Sequence, residues 1–379
     1  MTAPLRDGPA DLDDPGALAA GDPDGMLRAV ASSAAQVRQA AGAAAESGVG
    51  ALAGEGRPRS VVVCGSGPAG DVLAALCGPG AVAPVVVLRG SSLPAWVGAG
   101  DLVVAVSGSG ADEQTVLALG EAVRRGSRLL VVAPEGSPLV DLGRRGRAVV
   151  VPVPVGLLPR TALWSLAVPL VVAGAALGLG TGGPDEVEEA AQALEAVALR
   201  CRPAADTVLN PAKSLAVELS GALPVVWGSS PLAGVAAAHC AARLAADAGA
   251  PATWGTLPEV GAGAVGVLDG PWTGTAAGGD DFFRDRLDEP DRPALRLVLL
   301  RDAVEHPRAA LAADACADLA GRRGTGVSAL RAEGAGALAR LASLVCTTDF
   351  AGAYLALLEG TDPTPVPAAT ALEQRIGPA

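Results

Sequence analysis

Only one of the 379 residues is a lysine, Lys213, and only two are histidines, His239 and His306. Any step that needs an amine must use that one lysine, and a His-rich metal site is excluded. Aromatic residues are scarce: five Trp, three Phe and one Tyr. Small aliphatic side chains must therefore fill the interior, which suits helices packed closely on sheets. Positive charge is short as well. The 28 basic residues face 40 acidic ones, for a formal net charge of -12. That balance repels a phosphate backbone and excludes a general nucleic-acid binder. A local anion site stays open, because free backbone N–H groups at a helix start need no net positive charge. The six cysteines, Cys64, Cys77, Cys201, Cys240, Cys316 and Cys346, include no CxxC pair. They read as small buried thiols in a reducing, cytoplasmic setting. The acidic N-terminus lacks a basic segment followed by an apolar one, so no signal peptide is expected.

What is present is apolar. Half of the residues are hydrophobic and 18% are charged, which excludes disorder over most of the chain. At about 150 residues per domain the length accommodates two or three domains. Residues 161–184 carry no charge and invite comparison with a membrane span. Pro169, Ser165 and several Gly and Ala residues, directly after Arg160, favour a buried core helix, so no membrane partner is expected.

Residues 1–25, rich in Asp, Pro and Gly, read as a flexible acidic arm, and residues 26–53 as an Ala-rich helix. A rhythm then begins. Short apolar runs at 60–64, 85–88, 102–106, 129–133 and 148–153 alternate with helical stretches at 69–76 and 112–125. Continuous apolar runs are expected of strands buried on both faces, and the alternation predicts a parallel sheet between helices. The pattern restarts after residue 185. Helices are expected at 186–200, 211–219, 338–358 and 368–376, and strands at 224–227, 264–268 and 295–300. The acidic, Gly-rich stretch 269–291 reads as a long surface loop. Val62-Val63-Cys64-Gly65-Ser66-Gly67-Pro68-Ala69-Gly70 and Val225-Val226-Trp227-Gly228-Ser229-Ser230-Pro231-Leu232-Ala233 share strand, Gly-Ser turn, Pro and small-residue helix, 163 positions apart. This is an internal repeat of one α/β unit. The fold class is α/β, with domains at 26–185 and 186–379.

In open parallel sheets ligands sit beyond the C-terminal strand ends. Two such ends carry Gly and Ser together, at Gly65-Ser66-Gly67 and Ser107-Gly108-Ser109-Gly110. Glycine lets the backbone approach an anion, serine supplies a hydroxyl donor, and the following helix aims free N–H groups at the same spot. One such turn alone is commonly an ordinary helix cap; two in one sheet favour a phosphate site. Residues 65–70 also match GxGxxG after a strand. No acidic residue closes the next strand, where Arg89 follows Leu88, so a dinucleotide-dependent oxidoreductase is the weaker rival and no cofactor is expected.

Several motifs, in order, resemble the SIS (sugar isomerase) superfamily and, within it, the bifunctional phosphoglucose/phosphomannose isomerase family. They are Cys64–Asp71, which is similar to GGSAIGGD; Ser107–Thr115, similar to SGNTEET with one residue inserted; Leu158-Pro159-Arg160; Asn210-Pro211-Ala212-Lys213; Leu257-Pro258-Glu259; and Tyr354 to Val366. The resemblance covers roughly residues 60–370. It implies two tandem SIS-type α/β/α sandwich domains with parallel central sheets, a homodimer, and aldose–ketose isomerisation of phosphorylated hexoses between glucose- or mannose-6-phosphate and fructose-6-phosphate. It places substrate phosphate on Gly65, Ser66, Ser107, Gly108, Ser109 and Thr115, and it makes Arg160 the cation beside a charged enediolate. Moving a proton between two carbons also needs a base. Here the chain departs from the family. The family's Glu, His and Lys fall on Ala246, Ala262 and Glu373, which leaves Asp247 and Glu259 as the nearby carboxylates. The expectation is sugar-phosphate binding with weakened or absent isomerisation; the alternative is a non-catalytic sugar-phosphate-binding or regulatory protein.

Overall fold

The computed structural model describes residues 11–65, 67–158, 160–180, 182–274 and 293–376. The chain divides into two compact units. One comprises Ala31–Glu195, Gly334–Ala339 and Val366–Ala379; the other comprises Met1–Val30, Ala196–Glu333 and Arg340–Pro365. The division therefore falls inside a helix near residue 195 instead of at 185/186.

Residues 11–25 do not form the loose arm expected. They contain α1 (Pro15–Gly21), whose first N–H groups bond the Asp14 carboxylate. Asp22 in turn accepts from the N–H groups of Met26 and Leu27, at 2.6 and 2.9 Å, at the start of α2 (Met26–Ala31). Acidic residues before a helix satisfy its unpaired N–H groups. The stretch expected as one helix at 26–53 is divided into α2, α3 (Ser33–Glu46) and a 3-10 turn at Val49–Glu55, with Gly48 in the left-handed region between the last two.

The first unit is built on five parallel strands: β1 (Val61–Cys64), β2 (Val85–Leu88), β3 (Leu102–Val106), β4 (Arg128–Pro134) and β5 (Val149–Val153), in the order β2-β1-β3-β4-β5. Helices α4 (Ala69–Cys77), α5 (Glu113–Arg124), α6 (Pro138–Arg145) and α7 (Leu163–Ala176) cross between or follow them. Val62, Cys64, Val103, Ala105, Val131 and Ala133 pack with Ala118, Leu119, Leu139 and Val140 of α5 and α6. The alternate residues of the same strands point to the other face, on the side of α3, α4 and α7. Burial on both faces explains why these strands are nearly unbroken valine. With 14 residues and Pro169 inside it, α7 is a core helix, well short of the roughly 20 residues a membrane span needs.

Beyond α8 (Pro184–Arg200) and α9 (Pro211–Leu219), the second unit has four parallel strands: β6 (Ala222–Gly228), β7 (Thr253–Thr256), β8 (Ala294–Arg301) and β9 (Gly326–Arg331), in the order β7-β6-β8-β9. That is the order β2-β1-β3-β4 repeated, as the sequence repeat implied. Helix α10 (Pro231–Ala248) joins β6 to β7, α11 (Pro307–Arg322) joins β8 to β9, and α12 (Ala337–Leu358) and α13 (Pro367–Ile376) follow. Ala309, Ala313, Cys316 and Ala320 of α11 pack on Val225, Trp227, Leu297 and Leu299. α12 is long and apolar enough to cross a bilayer by composition, yet 94% of its apolar window is buried, which makes it a core helix. The strand expected at 264–268 is a 3-10 turn, Ala264–Asp269, that lays Leu268 on the sheet. Short apolar runs do not distinguish strand from helix by period. Most of the expected loop at 269–291 lies outside the described residues.

Candidate functional site

In the first sheet the chain leaves β1 toward β2 on one side, while β3 leads to β4 on the other. Divergent connections leave a crevice beyond the C-terminal ends of β1 and β3, where open α/β sheets bind ligands. Both Gly-Ser turns sit there. Gly65 (φ 153°) lies so close to the end of β3 that a Cβ would stand 2.1 Å from the Val106 carbonyl oxygen, so only glycine fits. Ser107 is 2% exposed. Its N–H donates to the Val132 carbonyl at 3.0 Å, and its Oγ accepts from Gly110 N–H at 2.9 Å. The Ser107 and Ser109 hydroxyl oxygens are 3.3 Å apart, and Ser109 Oγ accepts from Ala111 N–H at 3.2 Å. A single bond between the two hydroxyls uses one of their two protons and leaves the other for a ligand. Asp112 caps α5 through Gln114 N–H at 3.2 Å and also accepts the Thr115 hydroxyl, so Thr115 is buried and tied to the cap. Ser66, the remaining expected phosphate ligand, lies outside the described residues.

Gly108 is exposed and leaves room: a Cβ there would come no nearer than 3.8 Å to Leu166, in the first turn of α7. That contact brings the start of α7 over the Ser107 turn. Arg160 lies in the turn just before α7, where Thr161 N–H and Oγ1 bond the Leu158 carbonyl at 3.1 and 2.8 Å. It is half-buried and left-handed (φ 72°), which is uncommon for a residue with a Cβ and recurs at ligand sites. The structure therefore brings Gly65, Ser107, Gly108, Ser109, Thr115 and Arg160 to one end of one sheet. Arg89, considered above for a nucleotide 2′-phosphate, is already engaged: it donates to the Gly67 carbonyl at 3.1 Å and pairs with Asp71. That pair pins the turn after β1 and gives Asp71 a role the sequence did not suggest.

The second unit holds the two carboxylates. Glu259 is exposed and opens the 3-10 turn Glu259–Ala262 just after β7. Two residues before it, Leu257 N–H donates to the Gly228 carbonyl at 2.8 Å, which ties this loop to the Gly-Ser turn after β6. Asp247 does not fit the expectation. It is 2% exposed and pairs with Arg243 of the same helix at 2.9 Å. It also sits sixteen residues beyond the start of α10, about 24 Å at 1.5 Å rise, toward the end of the unit where strands begin. A carboxylate held by a buried guanidinium at that end serves structure, not proton transfer. Arg243 also reaches Asp349 at 3.2 Å, and Asp349 Oδ1 lies 2.7 Å from His239 Nε2. Burial alone would raise the Asp349 carboxyl, but His239 and Arg243 outweigh it and hold the group below the usual aspartate range. No motif announces this cluster, because its members come from two helices about a hundred residues apart. Of the three positions where a departure from the family is expected, Ala246 is half-buried in α10, while Ala262 and Glu373 are exposed.

The lone lysine is structural as well. Lys213 Nζ donates to the Pro203 and Ala205 carbonyls at 2.8 and 2.7 Å, lies 5.6 Å from the Tyr354 ring centre, and is fully buried. Burial pulls its ammonium below the ordinary lysine range against the opposing pull of Asp13. All six cysteines are free and buried. Burial pushes the Cys64 and Cys240 thiols up to about 12, which makes them poor nucleophiles.

A family model described as the bacterial phospho-glucose isomerase C-terminal SIS domain matches residues 209–376. The chain is 29% identical to a bifunctional phosphoglucose/phosphomannose isomerase of Caldicellulosiruptor bescii over 283 residues, 75% of this chain and 78% of that one. It is 26% identical over 287 residues to a bifunctional phosphoglucose/phosphomannose isomerase of Aquifex aeolicus, again covering 75% and 78%. The C-terminal domain of glucosamine-fructose-6-phosphate aminotransferase from Francisella tularensis superposes with a TM-score of 0.62 at 13% identity, covering 90% of this chain and 98% of that one, a likeness of fold.

Proposed function

The chain belongs to the sugar isomerase (SIS) domain superfamily, and from that premise we propose that it binds a phosphorylated hexose beyond the ends of β1 and β3. The observation that carries this reading is the pair of hydroxyls of buried Ser107 and exposed Ser109, 3.3 Å apart just before α5 and beside the close approach at Gly65. The hydroxyl proton, the N-terminus of α5 and Arg160 at the same end of the sheet suit a dianion. Chemically the site favours binding over turnover. With Asp247 locked to Arg243, Glu259 is the one remaining expected carboxylate, and Ala246 and Ala262 supply no base. Isomerisation is then weak or absent. Soluble, cytoplasmic work on metabolites fits the free thiols. A homodimer would cover exposed Leu199, Val208, Leu209 and Val217.

A titration with fructose-6-phosphate beside a coupled assay for glucose- and mannose-6-phosphate tests the reading. Binding without turnover, or slow turnover abolished by Glu259→Gln, is expected. Brisk turnover untouched by that change overturns the catalytic part. Unchanged affinity in Ser107→Ala overturns the site.

A further inference from the structure

The second sheet has its own switch point, beyond the ends of β6 and β8, built from the repeated turn Gly228-Ser229-Ser230. Extending the strand register by one residue sets Gly65 beside Val106, just as Gly228 pairs with Leu300. Ser107 and Gly108 therefore correspond to Arg301 and Asp302. Where the first sheet ends in a serine and an open glycine, the second turns a carboxylate inward. Asp302 is 6% exposed. Its Oδ2 accepts from Ser230 Oγ at 2.8 Å, and its Oδ1 accepts from Arg340 Nε at 2.7 Å. Its own N–H donates to Ser229 Oγ at 2.8 Å. Ser230 is also the cap of the 18-residue helix α10, accepting from Ala233 N–H at 3.0 Å. Nearby Arg301 is not spare, since Glu305 and Asp314 bind it at 2.6 Å each.

A buried guanidinium, a serine hydroxyl and a helix start, all converging on two anionic oxygens, are the elements that hold a phosphate elsewhere. Here the anion is part of the chain. We propose that the second switch point is an anion cradle filled from within by Asp302, so that this one carboxylate keeps each chain to a single sugar-phosphate site. The comparison with the first sheet rests on the function proposed above; the cradle itself rests on the contacts of Asp302. Taking the carboxylate away, with the glycine that the first sheet has at this position, opens the space to an external oxyanion that would take over the partners Ser230 and Arg340.

Inorganic phosphate is the probe, titrated calorimetrically into four proteins: wild type, Ser107→Ala, Ser107→Ala/Asp302→Gly, and that double variant with Arg340→Ala. Ser107→Ala is expected to bind phosphate at least tenfold more weakly than wild type. The double variant is expected to regain one equivalent, and Arg340→Ala to weaken that new equivalent at least tenfold. Because removing Asp302 leaves Arg340 buried without its carboxylate, the melting temperature is read in phosphate and in chloride at matched ionic strength. The double variant should gain more from phosphate than Ser107→Ala does. A double variant that takes up no phosphate, or that stays unfolded in it, overturns the proposal. If Ser107→Ala alone still binds as wild type does, the sugar-phosphate reading of the first sheet fails instead, and the gain on adding Asp302→Gly still decides this one.

Discussion

The two sheets repeat one connectivity and finish it with opposite electrostatics. Beyond β1 and β3 the chain leaves neutral hydroxyls, a glycine open to approach, and a cation in a left-handed turn. Beyond β6 and β8 it fills the same place with Asp302 and balances it with Arg340. The contrast extends to the interiors. Asp101 of the first unit is fully buried, but its partner Arg59 keeps 62% of its side chain in solvent. Asp349 of the second unit is matched by His239 and Arg243, both buried. The lesson is that a fold repeat transmits the location of a ligand crevice, not its occupancy. Occupancy depends on which side chain the strand end carries.

The sharpest way to break the comparison is to remove the buried carboxylates. Asp349→Ala strands two buried partners and is expected to cost about 3–5 kcal/mol in urea unfolding. Asp101→Ala should cost less, because Arg59 can rehydrate; equal losses would erase the difference between the units. Next in size are the glycines of the first crevice. Gly65→Ala drives a Cβ into the Val106 carbonyl and is expected to destabilise by about 2–3 kcal/mol, whereas Gly108→Ala, with 3.8 Å of room, should leave thermal stability nearly unchanged. The serines separate ligand from scaffold. Ser107→Ala should weaken fructose-6-phosphate binding about ten- to hundredfold, as expected for a hydrogen bond to a charged group. Ser230→Ala should leave that affinity alone and cost about 1 kcal/mol of stability through its cap. The smallest effect is with pH. Asp349 titrates lower in the folded chain than in the unfolded one, so its contribution is complete above the ordinary aspartate range, about pH 4, and fades as pH falls through its depressed value. Wild type should lose urea stability on acidification below about pH 4, and Asp349→Asn should lose less over the same range.

Much of the architecture could be read in advance. The valine runs at β1, β3 and β4 are strands because burial on both faces leaves no polar alternate position. Asn210-Pro211 starts α9 where it should, with the Asn side chain taking the N–H groups of Ala212 and Lys213. β7 and β9 escaped notice. β7 is an edge strand of four residues, Thr-Trp-Gly-Thr, with its first two exposed, and β9 alternates too weakly to announce itself. Among site residues, the turns at Gly65 and Ser107 were legible because glycine and serine act through local backbone geometry. Asp247 was misplaced because its role depends on Arg243 being buried, which no motif reports.

The sequence by itself determined that this chain makes two parallel α/β units with Gly-Ser turns at strand ends, since hydrophobic period and turn chemistry act over a few residues. Only the tertiary structure decided which polar groups are spent. Ser230 meets Asp302 across 72 residues, and His239 meets Asp349 across 110. Whether a hydroxyl or a carboxylate is available to a ligand depends on partners that folding alone brings within hydrogen-bond reach.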